Sequence, residues 1–503
     1  MTDLDSLVSW HSDWTGLRVA VLGLGVTGLA AADTLAELGA TVLVLAPGAT
    51  EEQAAILDVI GATLVLDPLE AVPEALTDFA PELAIVSPGF HPDHPLVAWT
   101  ESSGVPAWGD VELAWRLRDK NGPPAEWILV TGTNGKTTTT QLTVAMLLAA
   151  GRRAVACGNI GTPVLDVIRY PDPFDVLVVE LSSYQLHWLN RGGAGDLVPL
   201  AAVCLNLAPD HLDWHGTEDA YADAKAKVYT NARLAAVYNR DDAATLRMVE
   251  EAEVTEGCRG IGFGLGIPGP SDFGVVEGIL ADRAFHDDRD REALELATVS
   301  ALAERGLGAR HIVANILAAA ALARAAGASI EQVRSALDTF RLDPHRIEAI
   351  ASYRDVLWID DSKATNAHAA NASLTAFPSV VWVVGGLLKG VDIDALVSAH
   401  VARLRAAVII GTDRSALREA FRRHAPELTV VEVDAAETGQ VMPLVVRHAA
   451  AVAQAGDVVL LAPAAASMDQ FADYAERGRL FAAAVEDYLG GEAHGDGASA
   501  EDS

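Results

Sequence analysis

Short apolar runs alternate with amphipathic stretches along most of the chain. The first run, Arg18 to Leu22, leads through a glycine-rich turn into a stretch of helical periodicity, and a second apolar run spans Thr41 to Leu45. This alternation is typical of strand–helix–strand units in which helices cover a parallel sheet. It continues to about Trp115, so the pattern predicts an α/β fold.

The alternation is interrupted and resumes twice. The polar segment Asp119–Pro124 contains one glycine and two prolines, which is typical of a linker. New series begin with the apolar run Trp127–Val130 and again near Val356. We therefore predict three domains, with boundaries at 1–120, 121–341 and 342–489: a Rossmann-like N-terminal domain, a central α/β domain with a mostly parallel sheet, and a Rossmann-like C-terminal domain. Residues 490–503 are small, polar and acidic, and we expect a disordered tail.

Composition narrows the classes of partner. Asp and Glu outnumber Lys and Arg by 69 to 36, which gives a net charge of −33 and argues against nucleic acid as a partner. The most apolar region, Ile312 to Ala326, contains Asn315 and Arg324 and indicates a buried helix rather than a membrane span. With three cysteines, none in a CxxC, and no basic segment ahead of an apolar stretch at the start, we expect a cytoplasmic protein with free thiols.

The segment Thr131–Thr137 has the sequence of a phosphate-binding loop. It follows an apolar run and opens a predicted helix, as such loops require. Gly132 and Gly135 let backbone N–H groups face phosphate oxygens, Lys136 can reach the β- and γ-phosphates, and the Thr137 hydroxyl can bind Mg²⁺. The general pattern has a glycine where Val130 stands, and the alternative is a tight turn with an incidental lysine.

A second glycine-rich loop, Gly23-x-Gly25-x-x-Gly28, matches the dinucleotide fingerprint. Nicotinamide dinucleotide binding also needs an acid at the end of the next strand to hold the ribose, but that strand ends Leu45-Ala46-Pro47. The loop still suits an anionic group, such as a nucleotide diphosphate, at a helix N-terminus.

Polar residues follow two apolar runs of the central domain. Glu180 ends the run Val176–Val179, and Asp210 and His211 come soon after another run. Ligands bind at the carboxyl ends of parallel strands, so Glu180 is a candidate Mg²⁺ ligand beside the phosphate loop. A predicted helix carries Lys225. For each residue alone, an ordinary loop carboxylate, a hydrogen-bonded histidine or a solvated basic face is the alternative.

Together these motifs resemble the Mur ligase family. The segments similar to that family follow in its order over nearly the whole chain: 131–137, 158–161, 180–185, 206–211, 224–225, 311–315, 344–346, 361–366, 385–389 and 461–471. The resemblance implies an ATP-dependent ligase that joins an amino acid to a UDP-linked acceptor through an acyl phosphate. Segments 344–346, 361–366, 385–389 and 461–471 are similar to the member that adds D-glutamate to UDP-N-acetylmuramoyl-L-alanine in peptidoglycan synthesis.

The resemblance also implies roles for individual residues. It assigns catalysis to Lys136, Glu180, His211 and Lys225. It assigns ATP binding to Gly132, Thr133, Asn134, Gly135, Lys136, Thr137, Thr138, His311, Asn315, Arg346 and Asp361. It assigns UDP-substrate binding to Gly25, Val26, Thr27 and Gly89 of the N-terminal UDP-binding domain and to Asn159 and His211 of the central domain. It assigns D-glutamate binding to Lys363, Thr365, Lys389, Ser467 and Tyr474.

The implied cofactors are ATP and two Mg²⁺ ions, held by Thr137, Glu180, His211 and Lys225 as a carbamate; the implied enzyme is a monomer. Two positions depart from the family. Ala46 stands where the D-glutamate member has an Asp, and Tyr474 where it has a Phe. The alternatives are a Mur-type or folylpolyglutamate-type ligase with another acceptor or amino acid, a P-loop NTP-hydrolysing switch protein, and a nicotinamide oxidoreductase.

Overall fold

The computed structural model describes residues 3–189, 195–388, 393–434 and 437–498, with the backbone alone for 491–498. Across these residues three sheets form, one in each predicted domain. The chain divides into two compact units, Met1–Leu302 with Ile312–Phe340 and Ala303–His311 with Arg341–Ser503. The first two sheets therefore belong to one unit and the third sheet to the other.

The first sheet is parallel throughout, with the apolar runs of the N-terminal region as its strands. The strands are β1 (Arg18–Leu22), β2 (Thr41–Ala46), β3 (Thr63–Leu66), β4 (Leu83–Val86) and β5 (Ala107–Gly109), in the order β3-β2-β1-β4-β5. The helices are α1 (Val26–Glu37), α2 (Glu51–Ile60), α3 (Glu74–Phe79), α4 (Pro95–Ser102) and α5 (Asp110–Arg116). The strand order reverses between β1 and β4, so a crevice suited to a ligand lies beyond their carboxyl ends.

The second sheet has nine strands and is parallel over seven of them. Its strands are β6 (Glu126–Thr131), β7 (Ala154–Gly158), β8 (Val176–Glu180), β9 (Ala201–Cys204), β10 (Ala235–Asn239), β11 (Arg259–Phe263), β12 (Asp272–Val276), β13 (Ile279–Asp282) and β14 (Leu294–Thr298). The order is β14-β13-β12-β11-β10-β9-β6-β8-β7, and β13 is antiparallel to both of its neighbours, β12 and β14. The strand that leads into the phosphate loop, β6, therefore lies between β8 and β9.

The helices of this region cover that sheet and follow its strands. They are α6 (Lys136–Ala149), α7 (Val164–Ile168), α8 (Ser183–His187), α9 (Leu212–His215), α10 (Glu218–Ala226), α11 (Ala243–Glu250), α12 (Val299–Ala303), α13 (Arg310–Ala325) and α14 (Ile330–Thr339). The apolar region 312–326 forms the greater part of α13 and is buried, as predicted. None of the helices that the structure describes is long and apolar enough to span a bilayer.

The third sheet has one antiparallel edge strand on an otherwise parallel core. Its strands are β15 (Glu348–Tyr353), β16 (Val356–Asp360), β17 (Val380–Gly385), β18 (Leu404–Ile410), β19 (Thr429–Glu432) and β20 (Val458–Leu461), in the order β15-β16-β20-β17-β18-β19. Its helices are α15 (Ala367–Thr375), α16 (Asp394–His400), α17 (Ser415–His424), α18 (Thr438–Val452) and α19 (Tyr474–Ala498).

The last helix is longer than the sequence pattern predicts. We expected it to end near Leu489, before two glycines and a disordered tail, but α19 continues to Ala498, and 499–503 lie outside the described residues. Extending an existing helix adds one hydrogen bond per residue, so two glycines, at about 1 kcal/mol each, need not end it.

The first two sheets share one hydrophobic core across the predicted linker. Trp115 of α5 packs edge-to-face on Trp127 of β6, with ring centroids 5.3 Å apart. Arg169, which follows α7, forms ion pairs with Asp33 at 2.6 Å and Glu37 at 2.9 Å, both on α1. The N-terminal and central regions are therefore joined by both apolar packing and partly buried charge pairs.

Candidate active site

The phosphate loop joins β6 to α6 in the predicted position. Gly132 has a φ of +147° and Gly135 a φ of +83°, which side-chain-bearing residues rarely adopt. A Cβ at Gly132 would come within 2.9 Å of the Leu205 Cβ, and one at Gly135 within 2.5 Å of the Asn315 Oδ1. Both glycines are needed for the turn, and Asn315 of α13, which the resemblance assigns to ATP binding, lies beside Gly135.

Lys136 is the first residue of α6, and its side chain curls back over the loop. Its Nζ donates to the carbonyl oxygens of Gly132 and Thr133, both at 2.9 Å. Thr137 is half-buried and Thr138 is buried. Since an ammonium that donates to carbonyl oxygens can donate equally to phosphate oxygens, Lys136 is already poised over the loop.

Glu180 ends β8, beside the strand that leads into the loop. Its side chain is only 2% exposed, and its Oε1 accepts a hydrogen bond from the Asn159 Nδ2 at 3.0 Å. Its Oε2 is buried with no hydrogen-bond partner among the described residues. A buried, unpaired carboxylate oxygen is costly, and a bound cation would satisfy it. The donor set therefore fits Mg²⁺, which prefers oxygen ligands.

Lys225 lies on α10 and is 2% exposed, so the alternative of a solvated basic face is wrong for this residue. Its Nζ donates to the Gly132 carbonyl at 3.0 Å and lies 4.8 Å from the centroid of the Tyr221 ring. Burial, together with the nearby positive charge of Lys136, lowers the pKa of Lys225 to about 7. Two ammonium groups converge on one carbonyl oxygen, which makes the neutral amine of Lys225 accessible at physiological pH.

His211 lies immediately before α9 in the left-handed region, with a φ of +54°. Its Nδ1 is 2.8 Å from the Tyr184 hydroxyl, and its Nε2 is 3.7 Å from Asp210 Oδ2. Tyr184 also stacks on Trp214, with ring centroids 4.5 Å apart. His211 is thus oriented by α8 and by its own neighbour at the edge of an aromatic cluster.

The glycine-rich loop after β1, 23–28, is more exposed than the phosphate loop. Gly25 caps α1, and the Val26 side chain is 71% exposed. Thr27 follows within the same helix turn, and Gly89, beyond β4, has open space where a Cβ would stand. Strand β2 ends at Ala46, which is 1% exposed and offers no acid for a ribose.

Three residues predicted to bind ATP lie in the second compact unit. Asp361 follows β16 and accepts a hydrogen bond from the Ser373 hydroxyl. Burial raises the pKa of Asp361 to about 6, although the Ser373 hydrogen bond and the Arg346 charge oppose the shift. Burial also lowers the pKa of His311 to about 4, and Arg346 contributes to that shift. Arg346 is therefore close enough to influence both groups.

Most residues predicted to bind D-glutamate cluster beyond β16 and β20. The Lys363 Nζ lies 3.8 Å from the centroid of the Tyr474 ring, and the Thr365 backbone N–H donates to the Lys363 carbonyl at 2.8 Å. Ser467 is buried. Lys389, the remaining predicted residue, lies outside the described residues.

Several side chains that the sequence analysis did not single out support these groups. Arg477 is fully buried and donates to the Ser362 hydroxyl at 2.9 Å and to the Ala465 carbonyl at 3.1 Å, which ties together the loops after β16 and β20. In the part of the chain that the structure describes, one group of three potential metal ligands converges: His345, Glu348 and Asp360. A lone arginine in a helix gives no sequence signal. His345 could have been identified from the sequence, because it adjoins Arg346 in segment 344–346.

Comparisons with known proteins agree with this arrangement. Residues 130–323 match the family described as the Mur ligase middle domain, and residues 345–465 match the Mur ligase, glutamate ligase domain. The chain is 67% identical to the UDP-N-acetylmuramoylalanine–D-glutamate ligase of Leifsonia xyli over 99% of this chain and 97% of that protein. It is 52% identical to the Streptomyces avermitilis protein of the same name, over 94% and 99%.

Solved structures of low identity share the fold. The UDP-N-acetylmuramate–alanine ligase of Thermotoga maritima has a TM-score of 0.54 at 18% identity, covering 94% of this chain and 99% of that one. The MurF ligase from Thermotoga maritima, solved in complex with ADP, has a TM-score of 0.53 at 18% identity, covering 98% and 100%. The predicted α/β, three-domain fold class is thereby confirmed.

Proposed function

The chain belongs to the Mur ligase family, and on that premise we infer that it ligates D-glutamate to UDP-N-acetylmuramoyl-L-alanine at the expense of ATP in peptidoglycan synthesis. Support comes from identity to ligases of that name over nearly the whole chain. The structural observation that carries the inference is the convergence of Lys136, Lys225 and the buried Glu180 around one phosphate loop. Neither a switch protein nor a nicotinamide oxidoreductase requires this combination.

The proposed reaction has two steps. A carboxylate oxygen of the acceptor attacks the γ-phosphorus of ATP, which forms an acyl phosphate and releases ADP. The amino group of D-glutamate then attacks the acyl carbon, loses a proton and expels phosphate. Because no enzyme nucleophile is needed, the protein contributes positioning and charge neutralisation. Lys136 would neutralise the γ-phosphate while the backbone N–H groups of 132–138 hold the phosphate chain.

We propose two Mg²⁺ ions bound by Thr137, Glu180, His211 and carbamylated Lys225. Mg²⁺ supplies charge neutralisation between the triphosphate and the attacking carboxylate. The lowered pKa of Lys225 supports carbamylation, in which the neutral amine adds to carbon dioxide and releases a proton. This change replaces a buried ammonium beside Lys136 with an anionic oxygen donor of the kind that Mg²⁺ prefers.

The remaining assignments are proposals by region. We propose that region 1–120 binds the UDP moiety through Gly25, Val26, Thr27 and Gly89, with Asn159 and His211 completing the acceptor site from region 121–341. We propose that region 342–489 binds D-glutamate, a dicarboxylate that lysines suit, through Lys363, Thr365, Lys389, Ser467 and Tyr474. We propose that Arg346 and Asp361 of the same region bind ATP, as do His311 and Asn315 of region 121–341.

A cytoplasmic monomer is the simplest form of this enzyme. The reaction consumes ATP, which supports a cytoplasmic location. The substrates are small molecules, in keeping with the ligases that the chain resembles.

Phosphate release tests the proposed function directly. Purified protein with ATP, Mg²⁺ and UDP-N-acetylmuramoyl-L-alanine should release phosphate rapidly only when D-glutamate is added. A panel with L-glutamate, D-aspartate, L-alanine and L-lysine measures amino-acid selectivity. Equal release without acceptor would instead support a switch protein, and release with a different amino acid would support a related ligase.

A further inference from the structure

Beyond the last regular pairing of β6 with β9, the segment that follows β9 remains hydrogen-bonded to the phosphate loop. Thr131 of β6 pairs with Cys204 of β9, and the Leu205 N–H then donates to the Thr131 carbonyl at 3.0 Å. The Thr133 N–H donates in turn to the Asn206 carbonyl at 3.0 Å. The segments that follow β6 and β9 therefore continue to form main-chain hydrogen bonds with each other up to Asn206.

At that point a side chain takes over from the main chain. The Asn206 Oδ1 accepts from the backbone N–H of Asn134 at 2.9 Å, and its Nδ2 donates to the Asn134 carbonyl at 3.0 Å. An amide that pairs with both groups of one residue behaves as an additional strand residue. Together with its own carbonyl, Asn206 makes three hydrogen bonds to two consecutive loop residues.

The same segment leads directly to the acceptor side of the site. Two residues after Asn206, the Ala208 N–H donates to the Thr133 hydroxyl at 3.0 Å, and Thr133 is also 3.0 Å from the Tyr221 hydroxyl. Three residues further on is His211, which contacts Tyr184. The segment 206–211 therefore connects the loop that would hold ATP to the histidine that would face the acceptor.

We propose that Asn206 is a positioning residue that holds the phosphate loop ready for ATP and couples ATP binding to acceptor binding through segment 206–211. This inference rests on the proposed function for the identity of the acceptor. Glycines at 132 and 135 leave the loop backbone free to adopt other conformations. A side-chain clamp on Asn134 restricts that freedom before any nucleotide arrives, and restricting it reduces the entropic cost of binding.

The coupling follows from the same bonds. Acceptor that orders His211 restrains segment 206–211, which restrains the loop through Asn206 and Ala208. ATP would then bind a loop whose ordering has already been partly achieved. By linkage, ATP must raise acceptor affinity by the same factor.

Binding measurements on holoenzyme with Mg²⁺ test the proposal. A non-hydrolysable ATP analogue is titrated with and without saturating UDP-N-acetylmuramoyl-L-alanine. In the unmodified protein we expect the acceptor to tighten analogue binding at least about threefold. In Asn206→Ala, which lacks two hydrogen bonds, we expect analogue binding about 30-fold weaker and no effect of the acceptor.

Two further variants separate positioning from general destabilisation. Asn206→Asp keeps the shape and one acceptor oxygen but loses the donor to Asn134, and should lose the coupling as well. Asn239→Ala is the matched control, because the Asn239 Nδ2 donates to the Leu205 carbonyl at 2.9 Å beside the same strand without touching the loop. It should keep analogue affinity and coupling within about twofold.

The outcomes decide between distinct failures. Asn206 variants that match Asn239→Ala in both analogue affinity and coupling overturn the inference, and so does an unmodified protein in which the acceptor leaves analogue affinity unchanged. An unmodified protein that fails to ligate D-glutamate overturns the proposed function instead. In that case the affinity for the analogue alone still decides whether Asn206 positions the phosphate loop.

Discussion

Two glycine-rich loops, 23–28 after β1 and 131–137 after β6, each join a buried parallel strand to the start of a helix. In the first, a Cβ at Gly28 would stand 2.1 Å from the Gly23 carbonyl oxygen, so the loop closes on itself. Its most exposed side chain is the apolar Val26. In the second, two lysines converge on the Gly132 carbonyl. The same strand–loop–helix backbone therefore presents an apolar side chain in the first loop and two ammonium groups in the second. The neighbouring side chains determine which kind of contact each loop can make.

The difference predicts which changes stop chemistry and which only weaken binding. Electrostatic groups that act on developing charge contribute more to rate than contacts made equally in the ground state. Substitutions around 131–137 should therefore reduce turnover, whereas those around 23–28 should chiefly raise the KM of the UDP-linked acceptor.

The largest expected effect is that of Lys136→Ala. Removal of the loop ammonium should lower kcat/KM for ATP at least about 100-fold, because a charged donor directed at the transferring phosphate acts mainly on the transition state. Phosphate release measures the loss, and thermal melting checks the fold. Lys120→Ala, which removes a lysine that forms an ion pair with Glu37 of α1, is the control. Near-normal turnover in Lys136→Ala would refute the phosphate-loop assignment.

Lys225→Ala should cost about as much, and the loss should be chemically reversible. Acetate should restore part of the activity if a carbamate oxygen binds Mg²⁺, whereas methylamine should not. Lys227→Ala is the matched control, because Lys227 lies two residues away and donates to the His187 carbonyl. Rescue by methylamine and not by acetate would favour an ordinary ammonium at this position.

Carbamylation should also depend on pH in a defined direction. Because the pKa of Lys225 is lowered to about 7, its neutral amine fraction increases as pH rises from 6 to 8. After carbon dioxide is removed, reactivation at a fixed concentration of dissolved carbon dioxide should therefore be greater at pH 8 than at pH 6. Equal reactivation at both pH values would contradict a titrating Lys225.

A smaller effect is expected from Gly28→Ala in the first loop. The added methyl group would collide with the Gly23 carbonyl, and the resulting backbone shift should cost about 1–3 kcal/mol of stability. The KM for the acceptor should rise while the KM for ATP stays unchanged. Gly25→Ala provides a comparison for melting, because a Cβ there meets nothing within 4 Å. Equal melting of the two variants would show that the loop tolerates the shift.

The smallest expected effect is that of Val26→Ala. Loss of apolar surface at a contact with the acceptor should raise its KM about fivefold without changing kcat. Val59→Ala removes a similarly exposed valine from α2 and should change neither constant. If both variants behave alike, Val26 does not contact the acceptor.

The fold was predictable from the sequence because buried parallel strands appear as uninterrupted apolar runs. Strands β1, β2 and β6 begin and end within one residue of the predicted runs. The phosphate loop was predictable because glycine, lysine and threonine at fixed spacing follow from its geometry. The end of α19 was not predictable, since glycine disfavours a helix without always ending it.

The site was less predictable where a residue's role depends on a distant neighbour. The charge pattern of α10 cannot show that Lys225 is buried over Gly132, because that contact depends on how α10 packs on the sheet. Asn206 likewise bonds to Asn134 only because β9 lies beside β6, and strand order is not encoded locally. The family resemblance gave Lys225 a role, whereas it included Asn206 only as the first residue of segment 206–211 and gave it no role.

The buried thiols offer a way to time the opening of the central sheet. Cys157 on β7 and Cys204 on β9 are fully buried, and burial raises their pKa to about 12 and about 11. Only the thiolate alkylates readily, so labelling of either cysteine must wait until its strand separates from the sheet. Cys258 is partly exposed and supplies an internal reference. Labelling rates at the two buried positions would thus compare the local unfolding of an edge strand with that of the strand beside the phosphate loop.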